Sequence, residues 1–308
     1  MSAPPTAPSR TKVYLAFAAV YIIWGSTYFF IREALDGFPP FMLGGVRFAL
    51  SAAIMFGWCR AVGTSIAPGR DLWKAVVVGL LLLFVGNGAV IWAEGSIPSS
   101  LVAIAVAVAP LSFVVFDKPN WGVNFRSPAT LIGVAAGIAG VWLLFGQRLA
   151  AQWGEAELSA EAMALLILLV GIIAWPAGSL FAKYRPTALP NMVNSSWQML
   201  TGAVCFLVVA VMRGEWGRMD WGQVPGHAWF ALVYLVLFGS ILGYSAYVWL
   251  LGVRPAAQVS TYAYVNPVVA VLLGVFLGNE VLGWREVAGL VVILGGVLMI
   301  NLAKYRKG

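Results

Sequence analysis

The feature that most constrains this chain is a succession of apolar stretches, each about as long as a bilayer is thick. A helix needs roughly 20 apolar residues to cross the hydrocarbon core. Ten segments come near that length: 13–31, 40–58, 73–92, 97–116, 129–146, 162–182, 190–212, 228–250, 256–278 and 285–303. Hydrophobic residues make up 61% of the chain and charged ones 10%, where soluble domains carry roughly 25% charged. A soluble fold could not enclose so much apolar surface. Composition therefore excludes a disordered chain, a disulfide scaffold and an ordinary soluble enzyme. Each segment is expected to be helical, because a strand facing lipid would leave backbone polar groups unpaired. The expected class is all-α and integral to a membrane, with ten transmembrane helices.

Charge placement predicts the orientation. The formal charge is +7, and the bases sit mainly in short loops, where they read as topology signals rather than as a nucleic-acid surface. With the N-terminus in the cytoplasm, Arg10, Lys12, Arg60, Arg70, Lys74, Lys118, Arg126, Lys183, Arg185, Arg254, Lys304, Arg306 and Lys307 fall inside. Only Arg32, Arg148, Arg213, Arg218 and Arg285 fall outside. The inside excess puts both termini in the cytoplasm. Residues 1–12 form a small, Pro-rich basic tail that runs straight into a full-length span, so a retained first helix is expected rather than a cleaved signal. Trp58, Trp73, Trp121, Trp153, Trp216, Trp221, Trp229 and Trp284 fall at span ends, as an interfacial belt would place them. Cys59 and Cys205 lie in or beside apolar segments and are expected to be buried free thiols.

The two halves of the chain repeat. Trp92, Pro98 and Pro110 recur 157 residues on as Trp249, Pro255 and Pro267, and Gly86 and Gly95 recur at that offset as Gly243 and Gly252. Trp24 and Pro39 recur as Trp175 and Pro190, and Gly133, Gly140 and Val141 as Gly289, Gly296 and Val297. Five spans per half is an odd number, so the second half enters the membrane from the opposite face. Such inverted repeats mark secondary transporters with a midplane site between the halves. The expected layout is a tail at 1–12, a first repeat at 13–148, a periplasmic loop at 149–161, a second repeat at 162–303 and a cytoplasmic tail at 304–308.

Few residues can carry chemistry. Arg47 is the one formal charge well inside a span, and a charge there must face a cavity or a partner. A guanidinium suits a substrate carboxylate; a structural Arg bound to carbonyls is the other reading. Its repeat partner is Gln198. Glu94 and Glu280, near span ends, are the candidate coupling carboxylates, against a plain interfacial role. No span has an acid near its middle, which argues against proton-coupled antiport and against a site for cationic drugs. Pro110, Pro176 and Pro267 are expected to kink their helices, as gates or as tolerated breaks. Polar and aromatic residues cluster as candidate substrate contacts: Trp24, Ser26, Tyr28, Met42, Arg47, Asn87, Trp175, Trp197, Gln198, Tyr244, Tyr262 and Asn266. The pocket is expected to be lined by spans one to four and six to nine. Spans five and ten are glycine-rich and suit close helix packing, within the chain or across a dimer. His227 sits in a loop. No metal-ligand spacing, catalytic set or phosphate-binding loop is present, so no cofactor and no enzyme activity are expected.

These residues carry a family resemblance. Trp24-Gly25-Ser26-Thr27, Arg47, Ala93-Glu94-Gly95-Ser96-Ile97-Pro98-Ser99-Ser100, Tyr262-Ala263-Tyr264-Val265-Asn266-Pro267 and Gly278-Asn279-Glu280 resemble the EamA family of the drug/metabolite transporter superfamily. The second repeat has Trp175-Pro176 where the first has Trp24-Gly25. The resemblance spans about 13–303 and is nearest to bacterial inner-membrane exporters of amino acids, of the YddG type. It implies two inverted five-helix repeats around a central cavity and alternating access without ATP. The expected partners are a small-molecule substrate, probed first as a hydrophobic or aromatic amino acid, and membrane lipid, with no nucleic acid, in a monomer or weak dimer. Efflux of cationic drugs or of another metabolite, and a non-transporting membrane scaffold, are the alternatives.

Overall fold

The computed structural model describes residues 9–67, 69–150 and 158–305. Most of the tail expected at 1–12, the centre of the loop at 149–161 with Trp153, and residues 306–308 lie outside the described residues. Among the described residues all regular structure is helical. The long segments are α1 (Arg10–Leu35), α2 (Pro40–Ala61), α3 (Gly69–Glu94), α4 (Ser99–Phe116), α5 (Pro128–Ala150), α6 (Ala160–Tyr184), α7 (Asn191–Met212), α8 (Gly226–Val253), α9 (Tyr262–Phe276) and α10 (Trp284–Tyr305). Among the described residues, α1–α4 and α6–α8 are long and apolar enough to cross a membrane, which makes 7 such helices. The apolar stretches Pro128–Leu144 and Tyr262–Phe276 are shorter.

Local chemistry explains where the helices begin. Pro39, Pro98, Pro190 and Pro255 each stand at an N-cap with ψ between 139° and 149°. Proline disfavours helical geometry in the residue before it, so each one ends the loop and the next residue starts the helix. They are two repeat-matched pairs. Ser9 and Ser159 cap α1 and α6 by accepting from Lys12 N (3.3 Å) and Ala162 N (3.2 Å). Three segments contain π-helix: Ala19–Ile23 in α1, Gly79–Asn87 in α3 and Leu235–Tyr244 in α8. The last two match each other across the repeat.

The most extensive helix pairs are α5 with α10 and α2 with α7. Glycine sets the first. A Cβ on Gly296 would stand 2.7 Å from Gly133 O, and one on Gly140 would stand 2.5 Å from Ile293 Cγ1. The repeat-matched glycines of the two halves therefore meet each other inside the molecule, where small residues let backbones approach. Carboxylates tie the segment ends. Asp71 Oδ2 accepts from Ala188 N (2.8 Å) and Thr187 Oγ1 (3.2 Å) at one end of the bundle. At the other, buried Glu215 accepts through Oε2 from Phe41 N (3.0 Å) and Met42 N (2.9 Å) at the start of α2.

Large apolar side chains cover the outside, including Leu15, Ile22, Trp142, Phe230 and Val291. Trp58, Trp73, Trp121, Trp216, Trp221, Trp229 and Trp284 are all exposed. Cys59 is buried, whereas Cys205 is only partly so, and both are free thiols. His227 Nε2 lies 3.2 Å from Asp36 Oδ2.

Candidate functional site: a central aromatic pocket with one guanidinium

A cavity of about 70 Å³ lies at the centre of the bundle. Residues of α1, α2, α3, α4, α6, α8 and α9 line it; among the described residues α5, α7 and α10 contribute none. The cavity wall is mostly apolar, with a small polar group on one side.

Arg47 supplies that group. It is buried on α2; Nε donates to Ser240 Oγ (2.9 Å) and Nη1 to Asn87 Oδ1 (3.3 Å). Both acceptors belong to the π segments of α3 and α8. A π turn shifts side-chain register against the flanking α-helix and recurs at functional sites. A Cβ on Gly239 would stand 3.0 Å from Arg47 Nη2, so this glycine leaves room for the guanidinium. No carboxylate lines the cavity among the described residues.

Trp24 and Trp175 supply the apolar side, and they are repeat partners. Their rings meet edge to face with centroids 5.3 Å apart. Each is seated by the glycine of the opposite half. A Cβ on Gly243 would stand 2.7 Å from Trp24 Nε1, and one on Gly86 would stand 2.9 Å from Trp175 Cε3. Trp24 Nε1 donates to Gly239 O (3.1 Å) and Trp175 Nε1 to Tyr247 Oη (3.1 Å). Ser179 Oγ donates to Trp175 O (2.7 Å), so the 2.7 Å contact between Ser179 Oγ and Tyr247 Oη takes its proton from the tyrosine. Tyr262 completes the cluster, 5.4 Å from Trp24 and 5.8 Å from Tyr247.

Of the expected contacts, Trp24, Tyr28, Arg47, Asn87, Trp175, Tyr244, Tyr262 and Asn266 come together on the cavity wall. The rest stand elsewhere. Ser26 Oγ donates to Ile23 O and lies 2.7 Å from Tyr234 Oη. Met42 is fully buried beside the Glu215 tie. Trp197 Nε1 donates to Ile66 O (3.0 Å), at the far end of α2. Gln198 acts from behind the wall by accepting from Tyr244 Oη (2.7 Å). Asn266, with its amide nitrogen turned toward acceptors, donates to Tyr21 O (3.0 Å) and Tyr262 O (3.1 Å). Pro176 and Pro267 lie inside continuous helices, whereas α4 breaks after Val106 and Pro110 sits in the first turn of its second half. Ser240 and Gly239 of α8 also line the wall, beyond the residues expected from the sequence. Gly239 and Gly243, four apart in a tyrosine-rich span, were the available signal.

Both halves of the chain match one family. Residues 11–146 and 162–302 each match the EamA-like transporter family. The chain belongs to that family. It is therefore a membrane transporter built from two EamA units. It is 37% identical over 292 residues to a protein of Escherichia coli (strain K12) named an uncharacterized inner membrane transporter, YedA, covering 94% of this chain and 90% of that one. A protein of Salmonella typhimurium named a probable amino-acid metabolite efflux pump is 25% identical over 313 residues, covering 97% of each. Protein PecM of Dickeya dadantii is 26% identical over 92% of each. A solved crystal structure shares the fold, with a TM-score of 0.68 and 20% identity over 97% of this chain and all of the other.

Proposed function

We propose that this EamA transporter exports amino acids, hydrophobic or aromatic ones first, or closely related small metabolites, by alternating access of two inverted five-helix repeats. The observation that carries the reading is the pairing of one guanidinium with an aromatic box in a single cavity. Arg47 has five N–H donors and uses two within the protein. The remaining donors suit a carboxylate, and the Trp24, Trp175 and Tyr262 rings on the wall, backed by Tyr247, suit an apolar or aromatic side chain. The cavity wall lacks an acid among the described residues, which disfavours cationic drugs. The amino-acid metabolite efflux named for the Salmonella relative points the same way.

Ten spans, with both termini on the cytoplasmic side of the inner membrane, fit the charge bias. They also fit the matched N-cap prolines and the matched π segments. With no acid at the midplane, transport on this reading is facilitative. The test is counterflow of a labelled amino-acid panel into proteoliposomes. Saturable flux in the wild type, lost in Arg47→Gln with folding intact, is the expected result. Absence of saturable flux for every amino acid overturns the substrate class. Unchanged flux in a folded Arg47→Gln protein removes the guanidinium from the mechanism.

A further inference from the structure

We infer that Glu94 is a proton-binding site of the gate at the Glu280 end of the bundle, and that it holds its proton while this gate is closed. The inference rests on the transport reading for the word gate; the proton site itself rests on local geometry. Glu94 is the last residue of α3 and is fully buried. Neither carboxylate oxygen has a hydrogen-bond partner among the described residues. A carboxylate stripped of water and given no donor is costly, and a neutral carboxylic acid avoids most of that cost. The helix position adds to this, because the C-terminal end of a helix carries partial negative charge. The ionisable groups that face Glu94 are Glu280, Arg32, Arg47 and Tyr28. Arg32 donates instead to the main-chain oxygen of Glu94 (2.7 Å), and Arg47 is engaged by Ser240 and Asn87. Tyr28 is itself buried.

Glu280 is the opposite case. Its Oε1 accepts from Ser99 N (2.8 Å) and Ser99 Oγ (2.7 Å), and its Oε2 from Ser100 N (3.0 Å). Both oxygens are acceptors, at the start of α4 where the helix dipole favours an anion. The loop is shaped for this. Asn279 takes a positive φ of 52°, and a Cβ on Gly274 would stand 2.6 Å from Glu280 Oε2. Two neighbouring acids thus occupy unlike environments, one with both oxygens accepting hydrogen bonds and one with neither, and the contrast assigns the proton to Glu94.

The Glu280 contact joins the halves, since Ser99 belongs to the first and Glu280 to the second. When it parts, Glu280 moves away and water reaches Glu94, which then releases its proton to that aqueous side. Closure takes one proton up again. The positions matching Glu94 and Glu280 at the 157-residue offset are Leu251 and Val123, so the other end has no equivalent pair. The proton here reports and biases one gate; it does not cross with substrate.

Infrared spectroscopy of the protein in lipid tests the site without any substrate. A protonated-carboxyl C=O band is expected at neutral pH in the wild type, lost in Glu94→Gln and in Glu94→Met. A wild type without that band, or a band unchanged in either variant, overturns the proposal. Counterflow then tests the link to the gate. A one-proton linkage changes the open-to-closed ratio by up to about tenfold per pH unit. Flux is expected to follow pH at the Glu280 end and to be flat in Glu94→Gln. A pH response kept in that variant breaks the link. If no amino acid is carried, the exporter reading falls while the infrared band still decides the proton site.

Discussion

Gly243→Ala is a one-carbon change aimed at the aromatic box. The new Cβ would stand 2.7 Å from Trp24 Nε1 and 2.9 Å from Trp24 Cδ1. Restoring ordinary contact asks the indole to retreat by about 0.7 Å, a gap large enough to forfeit a quarter to a half of each contact it opens. The ring has nowhere easy to go, since Trp175, Tyr247 and Tyr262 pack around it with centroids 4.8–5.4 Å away. Its 3.1 Å bond to Gly239 O would pass out of hydrogen-bond range. That bond is worth about 1 kcal/mol net, and more if the indole N–H is left buried without a partner. Three aromatic contacts at about 0.5–1.5 kcal/mol each lose part of their value. Together these amount to about 2–3 kcal/mol, offset by about 1 kcal/mol from the better helix propensity of alanine. The net expectation is about 1–2 kcal/mol of lost stability and roughly a tenfold or greater loss of apparent substrate affinity. Thermal melts in detergent and counterflow titrations measure the two quantities. Gly295→Ala is the control, because a Cβ there would meet nothing within 4 Å and only the propensity gain should appear. Gly86→Ala should repeat the defect through Trp175. If Gly243→Ala melts as high as the Gly295 control and transports like the wild type, the packed-box argument is wrong.

Two further changes test the frame around that box. Glu215→Ala removes the acceptor of two main-chain N–H groups at the start of α2; at about 1.5–3 kcal/mol per charged hydrogen bond it should cost about 3 kcal/mol or more. The melting temperature should fall by roughly 6 °C or more, and an unchanged melt would show that the tie is idle. Gly296→Ala sets a Cβ 2.7 Å from Gly133 O and 3.2 Å from Gly137 N, both backbone, so α5 and α10 must part. Overpacking of this kind costs about 1–3 kcal/mol; a rise in melting temperature would refute the close crossing.

The helices themselves were legible because apolar runs of bilayer length leave the backbone no partner but itself. Their starts were legible too, since Pro39, Pro98, Pro190 and Pro255 act on their immediate neighbours. The repeat matches Trp24 with Trp175, whose rings meet, and it matches Gly133 and Gly140 with Gly289 and Gly296, which lie at one helix crossing. Facing direction was harder. Trp197 and Gln198 were grouped with the pocket by proximity along α7, yet α7 turns one to a loop carbonyl and uses the other to hold Tyr244 from outside. In a soluble helix, polar and apolar faces separate and reveal the inward side. Here lipid and neighbouring helices are equally apolar, so that signal is flat.

The π segments of α3 and α8 show the same division, because nothing local in Gly79–Asn87 or Leu235–Tyr244 demands them. What they do is bring Asn87 and Ser240 to one guanidinium. The unlike fates of Glu94 and Glu280 are a tertiary matter as well. Glu94 closes α3 and Glu280 lies in the loop after α9, each beside a glycine or an asparagine, but only Glu280 meets three donors, and they come from a helix in the other half of the chain. Sequence alone therefore determined the helical class, the helix starts and the two-fold repetition, because each depends on residue type and near neighbours. Only the tertiary structure decided which side chains share the cavity and which acid is satisfied, because those depend on contacts between segments 40 to 193 residues apart.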